Sequence, residues 1–386
     1  MITPPERSRI TVIIDTFHHA NAGTENQLAK IIAGLSARAR IEVITLREST
    51  WLRNHAHHLG IVHTMLQIDG VRNVRTYGNF LRLIRHLQRS RPQVVHTFFP
   101  VSNIVGVIAA RLAGVGTIYS SRRDYGEWMS GRYVAATRFA NRFTSGIIAN
   151  SKRVAELTST REEVTNSRIK VIHNGIDLEP FTKLKEAPQV AQQLGIPSNA
   201  RVIGLVANYR PMKRHHTLIK ALPLVLQQHP DTHAVLVGTN TTPEDIESRI
   251  RILAAELGVA ERVHQVHADG NVIDYLPLFN VGVNCSEGEG LSNAIMEYMA
   301  AGIPVIASSS GGNPDLVNHG QNGLLFPLDN EVALAQAICE LFDNETLRLS
   351  LAQHARAFVA REFSIQAMLQ HFAVEYGLEP AASISH

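Results

Sequence analysis

The feature that most limits what this chain can fold into is a regular alternation. Short apolar runs, rich in Val and Ile, are separated by longer amphipathic stretches. In the first half, residues 10–15, 41–46, 94–97, 117–120, 146–149 and 171–173 read as strands, and 25–38, 79–89 and 103–113 have helical spacing. In the second half the strand readings are 202–206, 234–237, 263–266, 281–285, 304–307 and 324–326, with helical stretches at 217–228, 243–257, 291–301 and 331–342. Strand and helix in repetition predict a parallel sheet covered on both faces, because parallel strands need a crossover between them. Segment 177–199 carries three prolines and few apolar residues and reads as a linker. With 386 residues, of which 45% are apolar, two packed cores are expected. The fold class is therefore α/β: two Rossmann-like domains with a cleft between them, at 1–178 and 179–362. Ligands of such sheets sit beyond the carboxyl ends of the strands. Segment 363–376 looks like a last amphipathic helix, and the ending AASISH looks frayed.

The charge is divided unevenly. Residues 1–180 hold 24 Lys and Arg against 13 Asp and Glu, a balance of +11, whereas the remaining 206 hold 13 against 21, a balance of −8. A basic first half suits nucleic acid, an anionic membrane or phosphorylated small molecules, but no recognisable nucleic-acid module accompanies it. The N-terminal MITPPERSRI lacks the apolar stretch of a secretory signal. No run of about 18 apolar residues predicts a membrane-crossing helix. Cys285 and Cys339 have no metal-ligand spacing and read as free thiols of a cytoplasmic protein. His18-His19, His55-x-His57-His58 and His215-His216 read as surface or loop residues.

Chemistry concentrates in residues 286–308. The run Ser286-Glu-Gly-Glu-Gly-Leu-Ser-Asn-Ala-Ile-Met-Glu297 follows a buried-strand pattern and opens a helix. Gly288 and Gly290 let backbone approach a ligand closely, and free N–H groups of a first helical turn receive anions. Ser292 and Asn293 are capping residues. A diphosphate site follows. A dinucleotide fingerprint does not, because the third glycine is replaced by Asn293 and no acid follows about 20 residues on. Glu297 has no basic partner one turn away, since positions 293 and 301 are Asn and Ala. A pair of ribose hydroxyls would supply the donors its carboxylate needs.

Glu289-x7-Glu297, followed by Tyr-Met-Ala-Ala-Gly-Ile-Pro-Val-Ile-Ala-Ser, resembles the signature of glycosyltransferase family 4 (GT4), retaining enzymes of the GT-B fold. The resemblance extends to Gly311-Gly-Asn-Pro-Asp315, Asn322-Gly-Leu-Leu-Phe-Pro327, Val171-Ile-His-Asn-Gly-Ile-Asp177 and the glycine loop Gly23-Thr24-Glu25. It implies an N-terminal acceptor-side domain, a C-terminal nucleotide-sugar-binding domain, and a C-terminal segment, 363–386, whose helix crosses back onto the first domain. It implies catalytic roles for Glu289, facing the donor sugar, and for Arg210 and Lys213, neutralising the leaving diphosphate. Donor binding falls to Glu297 on the ribose, to the backbone of Gly290, Leu291 and Ser292 on the distal phosphate, and to Gly23 and Thr24. The family's usual arginine is Asn208 here, with Arg210 close by. The family's acceptor-side histidine is replaced within Ser120-Ser-Arg-Arg-Asp-Tyr-Gly126, so Arg122, Arg123 and Asp124 become candidates for that side, with one of the arginines on a phosphate. His96 is a further candidate there, or a satisfied structural histidine.

The implied activity is transfer of a sugar from a nucleotide-diphosphate sugar to a saccharide or lipid-linked acceptor of the cell envelope or an exopolysaccharide. The donor is a co-substrate; no cofactor and no metal are expected, and no Asp-x-Asp is present. Arginines beside apolar residues at 80–89 and 132–142 suit an anionic membrane surface at the inner face. The competing readings are a GT-B sugar-nucleotide epimerase or phosphorylase and a non-catalytic sugar-nucleotide-binding protein.

Overall fold

A computed structural model describes residues 7–18, 23–68, 74–126, 129–184, 186–240, 243–267 and 272–378. His19 and the AASISH ending lie outside the described residues. The chain divides into two compact units: one runs to Gly175 and takes back the chain from Ile365, and the other is Ile176–Ser364.

In the first unit β1 (Ser8–Ile14), β2 (Ala39–Thr45), β3 (Val62–Met65), β4 (Val94–Phe98), β5 (Thr117–Arg122), β6 (Gly146–Ala149) and β7 (Ile169–Val171) form one sheet in the order 3-2-1-4-5-6-7. Neighbouring strands run parallel. Side chains alternate between faces along a strand. Ile10, Val12 and Ile14 of β1 enter a core with Leu28, Ile31 and Ile32 of the Gly23–Leu35 helix, while Ile13 enters the opposite core with Leu83, Leu87 and Val107. Both faces are thus covered. The Ile365–Glu375 helix belongs to this unit, burying Met368 and Phe372 against the first of these cores. Gly34 permits the approach, since a Cβ there would lie 2.2 Å from Leu369 Cδ1. The stretch expected as one helix at 103–113 opens with a π-helical turn, Ser102–Gly106, before Val107–Leu112. Asp15, at the end of β1, holds its start by accepting from Val101 N (3.0 Å), Ser102 N (2.7 Å) and Ser102 Oγ (2.6 Å).

In the second unit β8 (Arg201–Val206), β9 (Thr232–Val237), β10 (Val263–Val266), β11 (Val281–Asn284), β12 (Val305–Ser308) and β13 (Leu324–Phe326) pair in parallel in the order 10-9-8-11-12-13. The Asn293–Ala301 helix is fixed to the middle of this sheet by Tyr298, which is fully buried and accepts a hydrogen bond from Val206 N at 2.6 Å. Gly282 makes room for that ring: a Cβ there would lie 2.5 Å from Tyr298 Cδ2.

Segment 177–199 is not a free linker. It forms a 3-10 turn at Glu179–Lys183 and a short α-helix at Pro188–Gln193, and Ile196, Leu178, Phe181 and Leu194 pack on the second unit's core. The prolines shape these elements rather than loosen the chain. The unit begins at Ile176, whose N–H donates to Phe363 O at 2.8 Å.

Candidate functional site

In the order 10-9-8-11-12-13 the progression of the chain reverses between β8 and β11, so the crossovers from these two strands run to opposite sides and a crevice opens at the strands' carboxyl ends. Two sequence-distant loops meet there. Residues 207–214 follow β8 and residues 285–292 follow β11. Glu287 N donates to Met212 O at 2.9 Å, and Gly312 N, after β12, donates to Glu289 O at 2.9 Å. Ser308 Oγ donates to Ser286 O at 2.6 Å, and Ser310 Oγ to Glu287 O. Below them Asn284 Oδ1 accepts from Ser286 N (3.1 Å) and Asn313 Nδ2 (3.2 Å), while its Nδ2 donates to Ser292 Oγ (3.0 Å). The site is therefore backbone held by side-chain amides and hydroxyls.

Lys213 and Glu289 meet as an ion pair in this crevice, 18% and 14% exposed. The other carboxylate oxygen, Glu289 Oε2, is buried and has no hydrogen-bond partner among the described residues. An unmet buried carboxylate oxygen costs free energy, about 1–3 kcal/mol or more for a charged group, and its natural remedy is a hydroxyl donor. Burial, and after it the Arg210 guanidinium, hold the Lys213 ammonium pKa below the ordinary lysine value, at about 7; the Glu289 carboxylate on its nitrogen opposes both. Arg214 is committed elsewhere, to Glu287 and Asp329, and takes a left-handed backbone at φ 52°. Asn208, at the family's arginine position, accepts from Thr239 N and Thr239 Oγ1 at 3.2 Å each. It ties two loops rather than offering charge, while Arg210 is exposed.

Gly290 and Leu291 lead into Ser292, the N-cap of the Asn293–Ala301 helix, whose hydroxyl accepts from Ile295 N. First-turn N–H groups lack intrahelical acceptors and carry the positive end of the helix dipole. Glu297 is the fifth residue of this helix, just over one turn in, and is half-buried. The second unit thus brings together Arg210, Lys213, Glu289, Gly290, Leu291, Ser292 and Glu297. Asn313 was not foreseen. It is 1% exposed, its Nδ2 donates to Ser308 O and Oγ at 3.1 Å, and its Oδ1 has no partner. The amide in Gly311-Gly312-Asn313 was the only sign of it in the sequence.

His215 is not a surface residue. It is 1% exposed, stacks on Tyr209 with ring centroids 4.8 Å apart, and places Nε2 3.2 Å from Ala207 O. Burial holds its pKa down to about 4. His55 is half-buried and stacked on Trp51.

The remaining candidates lie in the first unit. Gly23 and Thr24 open the Gly23–Leu35 helix. His96 in β4 is fully buried, with Nδ1 2.6 Å from Tyr376 Oη and Nε2 2.8 Å from Ser121 Oγ, and burial then Arg123 push its pKa down to about 3. It is a satisfied neutral histidine, not a ligand-binding one. Arg122 is likewise not available to a ligand. Its Nε and Nη2 donate to Glu162 at 2.7 and 2.8 Å, Nη1 to Ser120 Oγ and Ser121 O, and Nη2 also to Asn141 Oδ1. All five donors are used, leaving none for a phosphate. Arg123 donates to Asn174 Oδ1, and burial lowers its pKa to about 10. Asp124 accepts from Gly126 N at 2.9 Å. Arg122, Arg123 and Asp124 line one small pocket with Tyr133 and Arg161; His96 does not. Among the described residues no three His, Cys, Asp or Glu side chains gather so as to hold a metal ion, and no helix is long and apolar enough to cross a membrane.

Two family descriptions match the chain: Glycosyltransferase Family 4 over residues 22–180, and Glycosyl transferases group 1 over residues 200–344. The chain is 24% identical over 301 residues to UDP-Gal:alpha-D-GlcNAc-diphosphoundecaprenol alpha-1,3-galactosyltransferase of Escherichia coli, covering 76% of this chain and 77% of that one. It is 25% identical to N-acetyl-alpha-D-glucosaminyl L-malate synthase of Bacillus anthracis, covering 55% and 54%. These matches span about half to three quarters of the relatives' lengths. Among solved structures, Anabaena HepE in complex with UDP superposes with a TM-score of 0.84 at 23% identity, over 96% of this chain and 99% of that one. The fold is shared with it: two Rossmann-like domains of the GT-B class.

Proposed function

The chain belongs to glycosyltransferase family 4, and from that premise we propose that it moves a sugar, with retention, from a nucleotide-diphosphate sugar to a lipid-linked or envelope saccharide. The observation that carries the reading is the meeting of Lys213 with Glu289 at the β8/β11 crevice, beside the capped start of the Asn293–Ala301 helix. A cation, a carboxylate with an unmet oxygen and a helix N-terminus are complementary to a phosphate joined to a polyhydroxylated ring. Backbone at Gly290, Leu291 and Ser292 holds the distal phosphate, and Glu297 takes the ribose hydroxyls. Lys213 and Arg210 offset the charge that grows on the departing diphosphate. Glu289 accepts from a donor-sugar hydroxyl. The departing phosphate oxygen takes the acceptor's proton on the face it vacates, so no protein nucleophile is needed, and neither cofactor nor metal is assigned a part. The E. coli relative is named for UDP-galactose and a diphosphoundecaprenol-linked acceptor, which favours a uridine donor and a lipid-linked acceptor, and HepE is in complex with UDP.

A thermal-shift screen with UDP-, GDP- and ADP-sugars tests the donor site. A ligand of the native state at 100 times its Kd adds about 2.7 kcal/mol of stability, so one nucleotide class is expected to raise the melting temperature and Glu297→Ala to abolish the rise. No shift with any of the three sinks the reading.

For the acceptor side we propose contact with anionic lipid through the Val74–Ser90 helix. It has no acidic residue and exposes Tyr77, Leu81, Arg82, Arg85 and Arg89. Each basic residue near such a surface contributes about 1 kcal/mol. The protein is expected to sediment with phosphatidylglycerol vesicles at low salt and an Arg82→Glu/Arg85→Glu variant to stay in solution; equal sedimentation of both removes the helix from the account.

A further inference from the structure

We infer that Lys213 and Glu289 form an exchangeable ion pair through which the site favours a sugar-bearing donor over the free nucleoside diphosphate. The inference rests on the donor-site reading above and asks what happens to Glu289 when a diphosphate takes Lys213. Among the described residues Lys213 is the partner of the Glu289 side chain, and Glu289 Oε2 has none. The other cations cannot step in equally. Arg214 is held by Glu287 and Asp329, and Arg210 is exposed to solvent, which screens its charge. A diphosphate that draws the ammonium away therefore leaves a largely buried carboxylate without its counter-charge. Breaking a buried pair in this way is costly, because the remaining charge has neither water nor partner.

The two forms of the nucleotide differ in how they meet that cost. A free terminal phosphate carries close to two negative charges at neutral pH, its second ionisation lying near 6. It takes Lys213 and also repels Glu289. A glycosylated terminal phosphate carries one charge fewer and brings ring hydroxyls, which donate to both Glu289 oxygens. The donor thus heals both broken contacts, and the product heals only one. After transfer the sugar is gone, Glu289 returns to Lys213, and the grip on the diphosphate weakens. Glu289 is in this sense a specificity-determining residue for product release as well as a contact of the donor sugar.

Isothermal titration of UDP, UDP-glucose and UDP-galactose into wild-type, Glu289→Gln and Glu289→Ala proteins tests this. Both variants remove the charge, and Gln keeps the shape, so a folding defect in one does not end the experiment; circular dichroism melts identify it. UDP is expected to bind about tenfold tighter or more to the variants, while the preferred UDP-sugar binds no tighter, so that the wild-type preference for the sugar-bearing form collapses. A pair that merely braces two loops would give the opposite sign, weaker binding of both. UDP affinity unchanged or lower in folded Glu289→Gln overturns the inference alone. A wild-type protein that binds neither UDP nor either UDP-sugar overturns the uridine-donor reading and the inference together.

Discussion

Replacing Lys213 by alanine is expected to cut turnover by about two to three orders of magnitude, the range found when one pre-placed donor to a developing anion is removed, ~2.7–4 kcal/mol. Lys213 is the one cation of the β8 loop with both partial burial and a place against Glu289. Charge on the leaving phosphate grows as the glycosidic bond lengthens, so the ammonium contributes more in the transition state than in the bound donor. Arg214 next to it cannot replace it, being tied to Glu287 and Asp329. Lys213→Arg is no conservative change either, since a planar fork does not fit where a compact ammonium sits. The pH dependence carries the same signature. Burial and then Arg210 lower the Lys213 pKa to about 7 while Glu289 on its nitrogen opposes them, so the ammonium of the free protein is present below that value and is lost only above it. Wild-type kcat/KM should therefore fall as pH rises past about 7, and the limb should vanish in Lys213→Ala. Steady-state rates at saturating donor decide the matter: a raised KM with unchanged kcat would mean uniform binding and no part in the transition state.

Lys213 and Glu289 were each legible in the sequence, because the motif around Glu289 is long and the lysine stands at a fixed place after a strand. Their contact was not. It depends on β8 lying beside β11, which strand order alone decides. Burial was the other hidden quantity. His96, in the middle of β4, and Arg122, at the end of β5, are residue types that bind ligands, and the sequence gives no hint that Tyr376, 280 positions away, satisfies His96, or that Glu162 saturates Arg122. Proline content misled at 177–199, where the few apolar residues, Leu178, Phe181, Leu194 and Ile196, are spaced widely yet all pack inward. The edge strand β3 escaped because Val-His-Thr-Met at 62–65 is neither alternating nor apolar, and its ends are exposed. Central strands such as β4 were found because burial on both faces leaves a continuous apolar run.

The Arg122–Glu162 pair sets the second large expectation, one of stability. Glu162→Ala should cost about 3–5 kcal/mol, the penalty for leaving one charge of a buried pair uncompensated. The pair is 9% and 2% exposed, and Glu162 Oε2 also accepts from Asn141 Nδ2 at 2.7 Å. It joins the end of β5 to the Gly131–Asn141 and Lys152–Glu162 helices, so its loss should loosen the first unit. Both tryptophans, Trp51 and Trp128, precede Gly175. Their fluorescence in a urea titration consequently reports that unit, and its midpoint should drop. The nucleotide contacts proposed for Arg210, Lys213, Gly290, Leu291, Ser292 and Glu297 lie in Ile176–Ser364, so UDP affinity at low temperature should be retained. An unchanged midpoint would mean that the pair contributes no more than a surface contact. Lost nucleotide affinity in a protein whose midpoint has not moved would restore Arg122 to a ligand-binding role. The double variant Arg122→Leu/Glu162→Leu separates charge from packing: with neither charge left to bury, it should be less damaging than the sum of the single changes. A pair of this kind specifies where β5 ends, and thereby where Arg123 and Asp124 begin the loop that lines the first unit's pocket.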